Sequence, residues 1–290
     1  MKKVYVVIPA FLFVFASVCA QNDSASLRSV DTTPILQPEI KAKPREVYKL
    51  NLGADIPVTA TGTIWSLYAF TKIYNKDASN EETILALNKS DVNRFDRWAI
   101  KPYSKRIDDI SYIPFYASMP MPVFFLFDNK MRKDFAKLSF LYLEAMSVTG
   151  LLYTGSTYFT NRYRPYVYSE ETDLDYRTRG GGKNSFYAGH VALVATSTFF
   201  MAQVYADYHP ESKIKWVFYG IATAATGATA YLRHAGGLHF PSDILLGVVQ
   251  GTVTGLLVPR IHRTKWIKNP NLSIMPFMGQ SNGLAVRYKL

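Results

Sequence analysis

Residues 231–247 read "YLRHAGGLHFPSDILLG", and the passage here from the end of one apolar run into the start of another decides the fold. Pro241 and Ser242 are suited to the first turn or cap of a helix, and the apolar run they open extends from Asp243 to about residue 259. Arg233 follows directly on an earlier run at about 214 to 232. Two long apolar helices are therefore joined by a short loop that carries an arginine, a histidine and an aspartate. Four further apolar segments lie upstream, at about 56 to 75, 110 to 127, 138 to 160 and 191 to 207. Each is near the length that crosses a bilayer, with Thr, Ser, Gly and Tyr at a density that also suits a close-packed bundle. Pro114, Pro120 and Pro122 should kink or shorten any helix in the second segment. Tyr74, Trp216 and Tyr231 stand near segment ends, as at a membrane interface. The expected fold class is all-α, a helical bundle of about six apolar helices embedded in a membrane. A soluble bundle with buried helices is the alternative.

The rest of the chain is organised around this bundle. Nothing repeats at a fixed period, so one domain plus processing segments is expected. The opening "MKKVYVVIPAFLFVFASVCAQND" has Lys2 and Lys3, an apolar run and then Val18-Cys19-Ala20, which reads as a signal peptide over residues 1–20. Residues 21–55, rich in Ser, Thr, Pro and Lys, read as a flexible exported leader. The helical domain is placed at 56–262 and a tail at 263–290, where two short alternating stretches flank a Gly/Ser/Asn turn. Cys19 is the one cysteine, so the chain after the signal has no thiol chemistry. The charged loop "DVNRFDRWA" (91–99) reads as salt-bridged surface, and "RGGGK" (179–183) as a lid. A net charge of +11, from 33 basic and 22 acidic side chains, favours anionic partners such as phosphate esters or lipid head groups. Nucleic acid is not expected, because export and the lack of an exposed aromatic platform argue against it.

Three blocks carry chemistry. A histidine attacks phosphorus only when its attacking nitrogen is unprotonated and aimed, and a carboxylate on the other ring nitrogen accomplishes both. His239 and Asp243 fit those roles at the mouth of a helix whose N-terminus favours an anion. Arg233 offers a planar fork for two phosphate oxygens. In "NSFYAGHVALVATSTFF" (184–200), Gly189 lets backbone approach a ligand and His190 is placed to protonate a leaving alkoxide. In "TNRYRPYVY" (160–168), Arg162 and Arg164 stand between an apolar helix and the helix-stopping Pro165. His209, His234 and His262 show neither zinc-like spacing nor acidic partners in a ligand pattern, so no metal or cofactor is expected.

Together the blocks resemble the signature of the type 2 phosphatidic acid phosphatase superfamily, which also includes bacterial acid phosphatases and vanadium haloperoxidases. Its pattern is Lys-x6-Arg-Pro, then Pro-Ser-Gly-His, then Ser-Arg-x5-His-x3-Asp. Arg164 and Pro165, Gly189 and His190, and Arg233, His239 and Asp243 match it. Thr157 replaces the lysine, Tyr187 and Ala188 replace Pro-Ser, and Leu232 replaces the last serine. The resemblance implies a metal-independent phosphatase working through a phosphohistidine. His239 would be the nucleophile, Asp243 its orienting partner and His190 the general acid, with Arg164 and Arg233 on the phosphate oxygens. Arg162 or Lys183 would replace the missing charge, and Ser185 the missing hydroxyl.

The expected substrate is a phosphorylated lipid such as phosphatidate, a prenyl diphosphate or lipid A, and the expected place is the bacterial cell envelope, membrane-associated, with the site facing the periplasm. A cleaved signal conflicts with six crossings, because parity would then put the first block on the cytoplasmic side. One early segment, 56 to 75 or 110 to 127, is therefore expected not to cross, or the bundle to be peripheral. The competing reading is a degenerate member, motivated by Thr157 and Ala188, that binds anionic lipid or serves as a scaffold. A soluble-substrate acid phosphatase or a haloperoxidase is more remote.

Overall fold

The computed structural model describes residues 46–264, 272–277 and 283–288. The expected signal peptide and the leader up to residue 45 lie outside the described residues. The six apolar segments are six long helices: α1 (Leu52–Tyr74), α3 (Lys105–Ser118), α4 (Phe135–Phe159), α6 (Gly189–Tyr208), α7 (Lys215–Ala235) and α8 (Pro241–His262). Two short helices, α2 (Glu81–Leu85) and α5 (Leu174–Thr178), lie in the connecting loops. In the second segment Pro120 and Pro122 shorten the helix as expected, α3 ending at Ser118 and Met121–Phe127 continuing as a 3₁₀ turn, whereas Pro114 lies inside α3 without ending it. In the tail, Leu272–Phe277 pairs antiparallel with Gly283–Tyr288, with Leu272 opposite Tyr288.

The leader begins to fold earlier than its composition suggested. Tyr48 is fully buried and donates its hydroxyl to Asp207 at 2.7 Å, and the Lys49 amide donates to the His262 carbonyl at 2.9 Å. An aromatic ring placed in the core outweighs the polar residues around it, so residues 46–55 belong to the bundle rather than to a loose leader.

Helix α6 is the hub, packed on α8, α7, α4 and α3. Its contact with α8 is close because small residues let the backbones approach. A Cβ on Gly247 would lie 2.7 Å from the Ala188 carbonyl oxygen and one on Gly255 2.6 Å from that of Thr196, with Gly251 closer still to Ala192. At the end of the bundle away from the α7–α8 loop, Phe125, Leu138, Leu141, Phe200 and Val258 form an apolar cluster with Tyr48.

The joint between α7 and α8 fixes the geometry of everything that follows. Helix α7 closes with the Gly236 amide donating to the Leu232 carbonyl and Leu238 to that of Arg233. Gly237 sits at φ +73°, where a Cβ would also lie 2.6 Å from the Pro102 carbonyl oxygen. Helix α8 starts with Pro241 in its first turn, and Asp243 reaches back to accept the Phe240 amide at 3.0 Å. His239 is held between these two ends.

Among the described residues, three stretches are long and apolar enough to cross a membrane by length and composition: Lys105–Phe127, Met131–Phe159 and Pro241–His262. Large apolar side chains such as Ile64, Leu67, Ile113, Ile221, Val249 and Val253 face outward. That apolar exterior fits membrane association.

Candidate active site

The C-terminal ends of α1, α4 and α7 and the N-terminal ends of α3, α6 and α8 meet at one end of the bundle. There they enclose a cavity of about 150 Å³ lined by His239, His190, Arg164 and Arg233, with Asp108, Asn184 and a wall of tyrosines that includes Tyr74, Tyr112 and Tyr153. Four of the residues singled out in the sequence thus border one space, although α5, α6 and α7 all lie between Arg164 and His239 in the chain.

The two arginines face this space differently. Arg233 is 2% exposed, and its guanidinium donates to Asp108 at 2.6 Å and to Ser111 Oγ at 3.0 Å, while Nε has no partner. Asp108, on α3, is in turn held by the Tyr103 hydroxyl at 2.9 Å. Arg164 is positioned through its backbone, whose amide donates to the Gly182 carbonyl at 2.8 Å, and its Nε is buried without a partner. Buried donors lacking acceptors are costly unless a ligand supplies the acceptor. Two such guanidinium nitrogens beside one cavity suit an anion.

His239 is 2% exposed, and its Nδ1 lies 2.7 Å from the Ser185 carbonyl oxygen. A carbonyl only accepts, so Nδ1 carries the proton and Nε2 keeps its lone pair. Burial, then the nearby Arg164 and Arg233, hold the imidazole well below the usual histidine range. His190, at the start of α6, has its ring edge-on to Tyr112 at 4.8 Å and tilted against Phe115 at 4.7 Å.

Asp243 does not take the position expected of it. It does not touch the His239 ring: Oδ2 accepts the Ser185 hydroxyl at 2.7 Å and the Phe240 amide, and Oδ1 pairs with Arg162. Being three residues into α8, its side chain folds back over the helix start and reaches Ser185, whose carbonyl then meets the histidine. Asp243 orients His239 at one remove.

Other expected phosphate ligands are also spoken for. Arg162 does not line the cavity. It bridges Asp243 and Asp96, 2.6 Å from the latter, and lies over the Phe240 ring at 4.7 Å, because two buried carboxylates need its charge. Ser185 directs its hydroxyl to Asp243, and Lys183 does not line the cavity. Gly189 serves packing, since a Cβ there would lie 2.5 Å from the Tyr153 ring. The "RGGGK" stretch forms a 3₁₀ turn, Gly180–Lys183, of which Gly181 borders the cavity.

The lysine position of the motif also has a physical account. Thr157 is buried and donates to the Phe186 carbonyl at 3.0 Å. Lys76, just past α1, donates to the carbonyls of Thr157 and Thr160, both at 2.8 Å, which ties the end of α4 to that of α1, and it does not line the cavity. Burial, then its neighbour Lys183, holds the Lys76 ammonium below the ordinary lysine range. Ala188 is fully buried, its amide donating to the Asp243 carbonyl.

Asp96 was the residue most misjudged from sequence. Rather than lying on a salt-bridged surface it is fully buried, accepting from Ser242, Asn93 and Arg162. Burial alone would raise its pKa, but those hydrogen bonds outweigh it and hold the carboxyl below its usual range. Asp108, Asn184 and the tyrosines were missed as well, because their spacing in the chain carries no signal.

Comparison with known proteins follows the same residues. No curated protein matches the chain. Among solved structures, it is similar to "Crystal structure of the first transmembrane PAP2 type phosphatidylglycerolphosphate phosphatase from Bacillus subtilis". The identity is 15%, over 74% of this chain and 98% of that one, with a TM-score of 0.41. The PAP2 superfamily model matches residues 138–267, from the first turn of α4 to just beyond α8, the part of the chain that carries both histidines and both arginines of the cavity.

Proposed function

We infer that this protein is a phosphatase that hydrolyses a phosphomonoester or diphosphate of a lipid through a phosphohistidine. The observation that carries this reading is the convergence of His239, His190, Arg164 and Arg233 on one cavity, with both arginine Nε atoms buried and unpartnered. His239 Nε2 attacks phosphorus while the bond to the leaving oxygen breaks, and His190 gives that oxygen a proton. Water then attacks the phosphohistidine, returning a proton to His190 and releasing phosphate from a neutral His239. Arg164 and Arg233 hold the equatorial oxygens as charge shifts during transfer.

A lipid substrate is supported by the apolar exterior of the helices beside the cavity, and an envelope location with the site facing the periplasm by the opening of the chain. The competing reading, a non-catalytic binder of anionic lipid or an envelope scaffold, draws on Thr157 and Ala188.

Phosphate release by the purified full chain, from phosphatidate, phosphatidylglycerophosphate, a prenyl diphosphate and a soluble aryl phosphate, separates the two. Release should vanish in His239→Ala and fall about 10² to 10³-fold in Arg164→Ala, as for loss of one transition-state donor. A folded wild type that releases phosphate from none of them would make the binding reading the better one.

A further inference from the structure

A second cluster of ionisable side chains lies at the opposite end of the bundle from the cavity. Asp55 from the first turn of α1, Glu144 from α4 and His262 from the last turn of α8 are all buried, and one donor atom of each lies within 4.8 Å of the others. His262 Nε2 is 3.2 Å from Asp55 Oδ1 and 3.5 Å from Glu144 Oε2. Glu144 is 4% exposed, and its Oε2 has no hydrogen-bond partner among the described residues.

The other ring nitrogen decides what this cluster needs. His262 Nδ1 lies 2.8 Å from the Val258 carbonyl oxygen, one turn back in the same helix. That carbonyl only accepts, so Nδ1 holds the proton and a neutral ring turns its Nε2 lone pair toward two carboxylates. Three acceptors converging in a buried site need protons or a cation among them. A second proton on the ring would still leave a net negative charge there, whereas a divalent ion makes the set neutral. The spacing fits as well. Zinc–nitrogen and zinc–oxygen bonds of about 2.0 to 2.2 Å in tetrahedral geometry put neighbouring ligand atoms roughly 3.4 Å apart, a value that falls between the two distances to His262. A carbonyl on the far nitrogen of a ligating histidine is also the usual outer support of such a site.

We propose that Asp55, Glu144 and His262 bind a divalent transition-metal ion of the zinc or manganese type, which fastens α1 and α4 to the end of α8. The fourth position falls to water. His262 also lines a surface cleft of about 510 Å³, which gives the ion a route in. This site is independent of the phosphatase reading, and its ion takes no part at His239.

The test is metal content and thermal midpoint of the full chain in detergent, stripped with chelator and then titrated with zinc or manganese alone. About one equivalent should bind to the wild type and raise its midpoint. His239→Ala should bind equally, while His262→Ala and the near-isosteric Glu144→Gln should bind at least tenfold more weakly. Absence of binding and of any shift in the wild type with either ion would overturn the proposal. So would ion binding that is lost in His239→Ala and retained in Glu144→Gln.

Discussion

At His239, one ring nitrogen is committed to the Ser185 carbonyl and the whole ring is buried beside two guanidinium groups. Its pKa in the folded chain is therefore lowered from an unfolded value near 6.5. Two consequences share that sign. As the proposed nucleophile, His239 stays unprotonated in mild acid, so the acidic limb of kcat/KM should lie below pH 6.5 and move up toward it in Arg164→Gln, where one neighbouring charge is gone. Because the unfolded chain binds the proton first, this residue's contribution to stability is full above about pH 6.5 and is lost as pH falls below it. Rate profiles and thermal midpoints across pH 5 to 8 check both, and an acidic limb above 6.5 would contradict them. The histidines and arginines of the cavity were legible in the sequence because motif spacing records which groups a phosphate needs. The supports were not. Asp108 meets Arg233 across 125 positions and Asp96 meets Arg162 across 66, and nothing local to either carboxylate announces its partner.

Among the helices, α8 does the positioning, since its first turn holds Asp243 and its glycine face lies on α6. A methyl group at Gly251 would overlap the Ala192 backbone, and backbone yields less readily than a side chain tip. Gly251→Ala should cost about 1 to 3 kcal/mol through overpacking, and should lower activity too because Phe240 and Asp243 ride on the displaced helix. Gly220→Ala in α7, where nothing lies near an added Cβ, is the control that should do neither. Thermal midpoints of the three proteins measure the difference. Apart from the proline-rich second segment, the helices themselves were read from sequence to within a few residues, since bilayer-length apolar runs bounded by Pro165, Pro241 and the Gly236-Gly237 pair leave little freedom. Which helix touches which was not readable. The glycines at 247, 251 and 255 stand one turn apart in the sequence, but only the fold shows that their partner is α6.

Across the whole molecule, the cavity histidines and arginines gather at one end of the bundle and the Asp55–Glu144–His262 cluster at the other, joined by α1, α4 and α8 running between them. The acidic partners of His262 come from α1 and α4, far away in the chain, which is why sequence spacing suggested none. Of the two early segments suspected of not crossing, α3 with its following turn is apolar enough to span and α1 does not reach that hydropathy, because Asp55, Lys72 and several threonines lower it. The cavity lies among helix ends beside this apolar body. The most direct measurement is acid-sensitive phosphorylation of the protein. Vesicles of the reconstituted full chain are mixed with phosphatidate labelled in its phosphate, quenched with base within milliseconds, and the label is located by peptide mass. The mechanism predicts base-stable, acid-labile phosphate on His239, absent in His239→Ala. Turnover without any such label, or label on another residue, would contradict it.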